Sequence, residues 1–172
     1  KIEELLTKFR GLVVVDEAYI DFSEQKSWLD KLADFPNLII TQTLSKAYGL
    51  AGIRLGVCYA SKEIISVLNR IKPPYNVNEL TQQKAIERLQ KVEEVEEEVA
   101  KIKIERSLLI SKLKDINFIQ NIFPTDCNFV LVKVDDATKR YNQLIEKGIV
   151  IRNRTTQPLC ENCLRFTVGT KE

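Results

Sequence analysis

The 172-residue chain contains no histidine and no methionine. Without histidine, a Ser–His–Asp triad, a Cys–His nucleophile pair and an imidazole metal ligand are all excluded. Any acid–base chemistry must therefore use lysine, tyrosine, cysteine or carboxyl groups. Without methionine the chain lacks a translational start, and it opens at Lys1 within a helical pattern without a signal-peptide segment. We therefore expect it to be a piece of a longer protein.

The chain also lacks a strong net charge and long apolar runs. Its 26 basic and 24 acidic side chains give a formal charge of +2, so no strong field attracts nucleic acid or a membrane surface. No apolar run approaches the roughly 18 residues of a transmembrane helix. Hydrophobic residues make up 44% and charged residues 29% of the chain, which is typical of a folded globular protein. We expect small-molecule partners, with no nucleic acid and no membrane.

Cysteine is scarce, with four residues at positions 58, 127, 160 and 163. This usage fits reduced thiols in a cytosolic protein. Cys160 and Cys163 have the spacing of a redox pair or a zinc knuckle. A zinc site would also need Cys58 and Cys127, each from a separate apolar segment. Two unpaired loop thiols are therefore favoured over a metal site, and we expect a cytoplasmic protein without metal.

Hydrophobic patterns in the first part of the chain predict an α/β fold. Short apolar runs are typical of strands buried on both faces of a mostly parallel sheet, and they lie at 12–15, 38–43 and 55–60. Helices are predicted at 1–9, 28–33 and 61–71. Pro73 and Pro74 favour a boundary between two domains. We expect part of a large domain at 1–76 and a small α+β domain, with a linking helix, at 77–172.

The second part begins with a predicted helix at 78–113. Its apolar residues recur every three or four positions, interrupted by Arg106: Val92, Val95, Val99, Ile102, Leu109 and Leu113. One interpretation is a coiled coil, which would make this a non-catalytic helical interaction module. A helix packed against its own domain is favoured, because this row of apolar residues, the apolar seam, is short. Strands at 118–123, 129–134, 149–151 and 164–168, with a helix at 137–147 ended by Gly148, complete the small domain.

Polar residues follow two of the predicted strands and should converge at one edge of the sheet, where α/β proteins bind ligands. They offer a carboxylate, a phenol, two hydroxyls, an amine and a guanidinium: Asp16, Tyr19, Thr43, Ser45, Lys46 and Arg54. A phosphate-bearing aromatic aldehyde would use every one of these groups. The glycines at 49, 52 and 56 fit neither the dinucleotide fingerprint nor the P-loop, and indicate tight loop packing.

Each group has a chemical role in that hypothesis. Lys46 would form a Schiff base with the aldehyde, and Asp16 would pair with the protonated pyridine nitrogen. Tyr19 would donate to the ring phenolate. The phosphate would be held by Thr43, Ser45 and Arg54. Each residue alone is a weak signal, since a lone Asp after a strand is more often a turn residue. The order and spacing together are specific.

These segments resemble the core of the fold-type I pyridoxal-phosphate aminotransferases: Val15-Asp16-Glu17-Ala18-Tyr19, Thr43-Leu44-Ser45-Lys46-Ala47 and Gly52-Ile53-Arg54-Leu55-Gly56. Later segments are similar to the branch that acts on histidinol phosphate: 125–129, 148–154 and 163–170. The resemblance covers essentially the whole chain. It implies pyridoxal 5'-phosphate as cofactor, a homodimer, and transfer of an amino group between glutamate and imidazole-acetol phosphate in histidine biosynthesis.

The resemblance also implies substrate contacts. Arg165 matches the arginine that grips a substrate carboxylate, and Arg165 with Arg152 would serve the substrate phosphate. Asn128 lies near that arginine in the family, although a turn residue before a strand is nearly as good an interpretation. Members of the family are longer and carry further cofactor contacts in a front part absent here. Relatives acting on aromatic amino acids or threonine phosphate share these motifs and remain an alternative.

Overall fold

The computed structural model describes residues 1–169. It confirms a mixed α/β fold and divides the chain into two compact units, Lys1–Val95 and a second that begins at Glu96. The expected domain boundary after residue 76 stays a prediction. Thr170, the last residue of the 163–170 segment, lies outside the described residues. No helix among the described residues is long and apolar enough to cross a membrane.

The first unit is built on a three-stranded sheet of β1 (Val13–Asp16), β2 (Leu38–Thr43) and β3 (Gly56–Ala60), in that order. Strands β1 and β2 are parallel, whereas β3 runs antiparallel to β2. The expectation of parallel strands therefore fails at β3. Residues 44–55 contain a single short 3-10 helix (Ala51–Ile53) and no crossover helix, so the chain reverses direction between the two strands.

One face of this sheet forms the core of the first unit. Leu38 and Ile40 are fully buried, and the side chains packed around them include Leu6 of α1 (Ile2–Lys8) and Trp28 of the 3-10 helix Trp28–Lys31. The opposite face differs, because Val14 of β1 is 59% exposed. The prediction of burial on both faces is therefore wrong for β1, since the described residues cover only one of its faces.

The single helix predicted at 78–113 is two helices. Helix α2 (Lys62–Ile71) is followed by α3 (Glu79–Leu89) and α4 (Val92–Leu113), which are separated by two residues. Asn78 caps α3 by accepting a hydrogen bond from the Thr81 N–H at 2.9 Å. In α4, Leu113 belongs to the core of the second unit, and Ile102 and Leu109 pack against that core. The part of the apolar seam from Ile102 to Leu113 therefore packs within the second unit and is not available to pair with another helix, so the coiled-coil interpretation is wrong.

The second unit contains an antiparallel sheet in the order β4-β5-β7-β6. Its elements after α4 are β4 (Ile119–Ile122), β5 (Phe129–Val134), α5 (Ala137–Glu146), β6 (Arg152–Asn153) and β7 (Cys163–Thr167). Val130 and Val132 are fully buried beneath the helices. The strand predicted at 149–151 is replaced by β6. Gly148 ends the helical segment with φ +77°. The Ile149 N–H still donates to the Leu144 carbonyl, so the pairing of β6 with β7 begins only at Arg152.

Candidate active site

Asp16 and Tyr19 lie where β1 leaves the sheet. Asp16 is exposed and is on the same face as Val14, since alternate strand residues share a face. One of its oxygens, Oδ1, accepts a hydrogen bond from the Ala18 N–H at 3.0 Å. The carboxylate therefore shapes the turn that leads to Tyr19 and also faces outward from the sheet.

Lys46 lies in a compact turn directly after β2. The Thr43 hydroxyl donates to the Leu55 carbonyl at 3.3 Å and accepts from the Ser45 N–H at 3.1 Å. The Lys46 carbonyl in turn accepts from the Gly49 N–H at 3.0 Å. These bonds fix the path of the backbone on both sides of the lysine. Its Nζ atom lies 5.2 Å from the centroid of the Tyr19 ring, within cation–π distance.

Arg54 enters β3 from a strained backbone position. Its φ is 56°, a left-handed conformation that costs a non-glycine residue free energy. Its guanidinium is exposed and donates to the Ala51 carbonyl at 2.7 Å. Two residues later, Gly56 pairs with Thr43 in the sheet, and a Cβ atom at Gly56 would lie 3.2 Å from the Gln42 carbonyl oxygen. The register thus brings the Arg54 backbone beside the end of β2.

Helix α3 supports this loop through two side chains that sequence reasoning missed. The Arg88 Nε–H donates to the Tyr48 carbonyl at 3.1 Å, and the Thr81 hydroxyl donates to the Ile53 carbonyl at 3.5 Å. Arg88 also lies 3.6 Å from the Glu94 carboxylate. The two contacts hold the loop between Lys46 and Arg54 at both ends. Nothing local in the sequence pairs these positions, since Arg88 and Tyr48 are 40 residues apart.

Glu17 is a third residue that sequence reasoning did not single out. Its carboxylate is buried, with 6% exposure. It accepts hydrogen bonds from the Ser27 hydroxyl at 2.6 Å, the Trp28 N–H at 2.7 Å and the Gln42 amide at 3.0 Å. Burial raises the pKa of the nearby Asp21 carboxyl, and repulsion from Glu17 adds to that rise. The sequence signal for this role was an acidic residue, Glu17, that directly follows β1.

The first unit therefore groups six predicted site residues at one end of its sheet. Asp16 and Thr43 are the last residues of adjacent strands, and Ser45, Lys46 and Tyr19 are in the turns that follow. The amine lies beside the phenol, and the carboxylate projects from the exposed face. This set of donors and acceptors fits a phosphorylated pyridine aldehyde, which needs an amine, an anion for the ring nitrogen, a phenol and phosphate-binding groups.

The predicted substrate residues all lie in the second unit. Arg165 of β7 is directly opposite Arg152 of β6 in the antiparallel register. Its guanidinium carbon lies 5.0 Å from the centroid of the Phe129 ring. Its Nε atom is buried and has no hydrogen-bond partner among residues 1–169. Like charges directly opposite one another repel, so an anion bound between the two guanidiniums would be stabilised.

Asn128 lies in a loop that several side chains hold. The Thr125 hydroxyl donates to the Phe129 carbonyl at 2.8 Å, and the Asn128 carbonyl accepts from the Val168 N–H at 2.8 Å. Arg106 of α4 donates to the Cys127 carbonyl at 2.8 Å. This contact explains why an arginine interrupts the apolar seam of that helix. The signal was visible in the sequence, but its partner was not.

The cysteines show no ligand cluster in the described part of the chain. All four are free thiols, and no group of three or more potential metal ligands occurs among residues 1–169. Burial raises the pKa of the Cys127 and Cys163 thiols. Both groups are therefore further from the reactive thiolate form than a free cysteine.

The chain is similar to several known aminotransferases. The histidinol-phosphate aminotransferase of Flavobacterium johnsoniae is 68% identical over 171 residues, which are 99% of this chain and 49% of that protein. The crystal structure of the Clostridium acetobutylicum histidinol-phosphate aminotransferase matches with a TM-score of 0.90 at 28% identity, over 99% of this chain and 53% of its own. The Sinorhizobium meliloti enzyme, solved in complex with pyridoxal-5'-phosphate, matches 93% of this chain and 45% of its own, with a TM-score of 0.82 at 28% identity.

These matches also show how much of its relatives' length the chain represents. It spans about half the length of the relatives that it matches. The model of the aminotransferase class I and II family matches residues 1–172. The match to this model runs through every candidate residue in both units. The chain therefore belongs to the aminotransferase class I and II family.

Proposed function

We propose that the complete protein containing this chain is a histidinol-phosphate transaminase of histidine biosynthesis. It would move an amino group between glutamate and imidazole-acetol phosphate. The observation that carries the proposal is the approach of Lys46 Nζ to the Tyr19 ring at 5.2 Å, at the sheet end that also bears Asp16. The 68% identity to a relative of that name supports the choice of substrate.

The proposed cofactor is pyridoxal 5'-phosphate, and six side chains of the first unit would hold it. The bound cofactor supplies an electron-accepting ring that stabilises negative charge at the substrate's Cα. Lys46 would bind its aldehyde carbon and Asp16 its ring nitrogen. The Tyr19 phenol would donate to the ring oxygen. The phosphate would lie among three side chains: Thr43, Ser45 and Arg54.

Lys46 would have a second task as the acid and base of the reaction. Its side-chain amine would act as the base that takes the proton from the substrate's Cα, and then as the acid that returns a proton. The turn bonds of Thr43 and Gly49 keep the lysine backbone in place, so only its side chain needs to move.

Substrate anions would be bound by the second unit. Arg165 is proposed to hold the carboxylate of glutamate, and Arg165 with Arg152 to hold the phosphate of the imidazole substrate. Their opposed positions across β6 and β7 support this, because an anion would relieve their repulsion. Asn128 would contribute a polar contact close to them. The loop bonds to Arg106 and Val168 hold its backbone.

We further propose that the complete protein works as a homodimer in the cytoplasm. Four free thiols in the described residues fit a reducing compartment. The homodimer follows from the family resemblance alone. Size-exclusion chromatography coupled to light scattering would test it.

A substrate panel tests the proposed activity. The complete protein, loaded with pyridoxal 5'-phosphate, is incubated with 2-oxoglutarate and one of three amino compounds: histidinol phosphate, phenylalanine or threonine phosphate. We expect glutamate formation by mass spectrometry with histidinol phosphate, and its loss in Lys46→Ala. Preferential turnover of phenylalanine would favour the aromatic relatives. Release of carbon dioxide from threonine phosphate would favour a decarboxylase instead.

A further inference from the structure

The buried carboxylate of Glu17 lies on the reverse side of the candidate site. Consecutive strand residues point to opposite faces of a sheet. Asp16 and Thr43 thus belong to one face, and Glu17 and Gln42, their direct neighbours in sequence, belong to the other. The core face also carries Leu38 and Ile40, which are fully buried. Glu17 therefore does not reach a ligand on the Asp16 face.

The carboxylate connects three separate segments. Its Oε2 atom accepts from the Ser27 hydroxyl at 2.6 Å and from the Gln42 amide at 3.0 Å. Its Oε1 atom accepts from the Trp28 N–H at 2.7 Å. The Glu17 N–H itself donates to the Thr41 carbonyl at 2.8 Å. One side chain thus joins three segments: the end of β1, the end of β2 and the start of the 3-10 helix Trp28–Lys31.

Ser27 extends this connection into the helix. Its hydroxyl donates to Glu17 and also accepts from the Leu29 N–H at 3.1 Å, so the residue caps the 3-10 helix. The cap gives the serine a fixed orientation toward Glu17. A buried anion is costly unless hydrogen bonds satisfy it, and these three donors do so. Removing the carboxylate would leave the Trp28 N–H and the Gln42 amide without this acceptor.

We propose that Glu17 is a positioning residue for the cofactor, acting through the backbone of Asp16 and Thr43. This rests on the proposed function, since it assigns Glu17 to the same site. By joining residue 17 to residue 42, the carboxylate fixes the separation of the two adjacent strand ends. The Asp16 carboxylate and the Thr43 hydroxyl then keep the spacing that a ring nitrogen and a phosphate require. Glu17 touches neither group of the cofactor.

Two measurements on the complete protein test this inference. Hydrogen exchange of the cofactor-free protein reports how firmly residues 16–19 are held, and absorbance titration gives the Kd for pyridoxal 5'-phosphate. The variants are Glu17→Ala and Glu17→Gln. In Glu17→Gln the amide oxygen can accept from the Trp28 N–H, and the amide nitrogen can donate to the Ser27 hydroxyl oxygen and, once the Gln42 amide turns over, to the Gln42 amide oxygen. The control is Glu4→Gln, because the Glu4 carboxylate pairs with Lys8 on the solvent-exposed side of α1.

We expect Glu17→Ala to speed exchange at 16–19 and raise the Kd by about tenfold or more, with Glu17→Gln within about threefold of the parent. Glu4→Gln should match the parent in both measurements. A Glu17→Ala protein that binds the cofactor with parental Kd, while only its melting temperature falls, would show a purely structural role and overturn the inference. A Glu17→Gln protein that binds the cofactor as weakly as Glu17→Ala would also overturn the inference. The proposed effect comes from the hydrogen bonds that join the segments, and not from the negative charge.

If Glu17→Ala does not fold, the variant Gln42→Leu provides the test. It removes one of the three bonds, leaves Glu17 with Ser27 and Trp28, and should also raise the Kd; a parental Kd would overturn the inference. Failure of the parent protein to bind pyridoxal 5'-phosphate would instead contradict the proposed function. Hydrogen exchange would still decide, in that case, whether Glu17 holds the turn at 16–19.

Discussion

The Lys46 Nζ atom lies 5.2 Å from the centroid of the Tyr19 ring. The two residues are 27 positions apart in sequence and are brought together because β1 and β2 are adjacent and parallel. Parallel strands end at the same edge of a sheet, so the turns that follow them meet there. An amine above a phenol ring is attracted by the ring's negative face, so the two turns place the amine and the phenol side by side.

Lys46 should be the covalent site for the cofactor. Borohydride reduction of the complete, cofactor-loaded protein followed by peptide mapping should place the pyridoxyl group on Lys46. The reason is its place in the turn after β2, beside Tyr19 and Ser45. Lys46→Arg should lose the label. Lys62 and Lys72 serve as internal controls, and labelling of either of them instead would contradict the assignment.

Asp16→Asn should lower turnover by at least about a hundredfold while part of the cofactor stays bound. An amide can hold the ring nitrogen but cannot keep it protonated, and the proton makes the ring an electron acceptor. The exposed Asp34 of the same unit offers the matched control Asp34→Asn, which should behave as the parent. Steady-state rates and cofactor occupancy measure the effect. Near-parental turnover would mean that Asp16 serves only the turn at Ala18.

Arg165→Lys should slow both half-reactions by at least about tenfold. A guanidinium binds a carboxylate or a phosphate with two parallel hydrogen bonds, whereas lysine offers a point charge. The Phe129 ring beside Arg165 would also lose its planar partner. Stopped-flow measurement of each half-reaction decides, with the exposed Arg10→Lys as control. If only the glutamate half-reaction slows, Arg152 alone holds the phosphate.

Acid stability should depend on the pair of Asp135 and Arg140. Arg140 donates to both oxygens of Asp135, at 2.9 and 2.6 Å, and these bonds lower the pKa of that carboxyl to about 2. Because the folded-state pKa is below the ordinary 3.8, the pair stabilises the fold at neutral pH. This stabilisation is lost as the pH falls from about 4 through about 2.

Asp135→Asn should therefore lower the melting temperature modestly near neutral pH, and the difference from the parent should shrink in acid. Scanning calorimetry across this pH range measures it. Asp115→Asn, at an exposed carboxyl of the same unit, is the control and should show no such pH dependence. An Asp135→Asn deficit that is constant with pH would show that packing, and not charge, accounts for it.

Local chemistry in the sequence was sufficient to predict most elements and to name candidate residues for a site. The apolar run at 38–43 predicted β2 at its observed bounds, and the run at 129–134 predicted β5, since burial and strand propensity are local properties. The polar residues after those strands predicted a shared site for Lys46 and Asp16. Their roles stay predictions, but their convergence needed only adjacent parallel strands.

The tertiary structure decided what depends on distant segments. Contacts between separate segments produce the antiparallel direction of β3, the pairing of Arg152 with Arg165 and the three bonds of Glu17. The exposure of Val14 shows a face of β1 that the described residues leave open. Sequence periodicity shows that a side chain is apolar or charged, but not which segment packs against it. By itself the sequence determined most of the strands and the candidate residues at their ends, because apolar runs and polar residue types are local properties. Long-range packing determined which faces are covered and which residues support the candidate site.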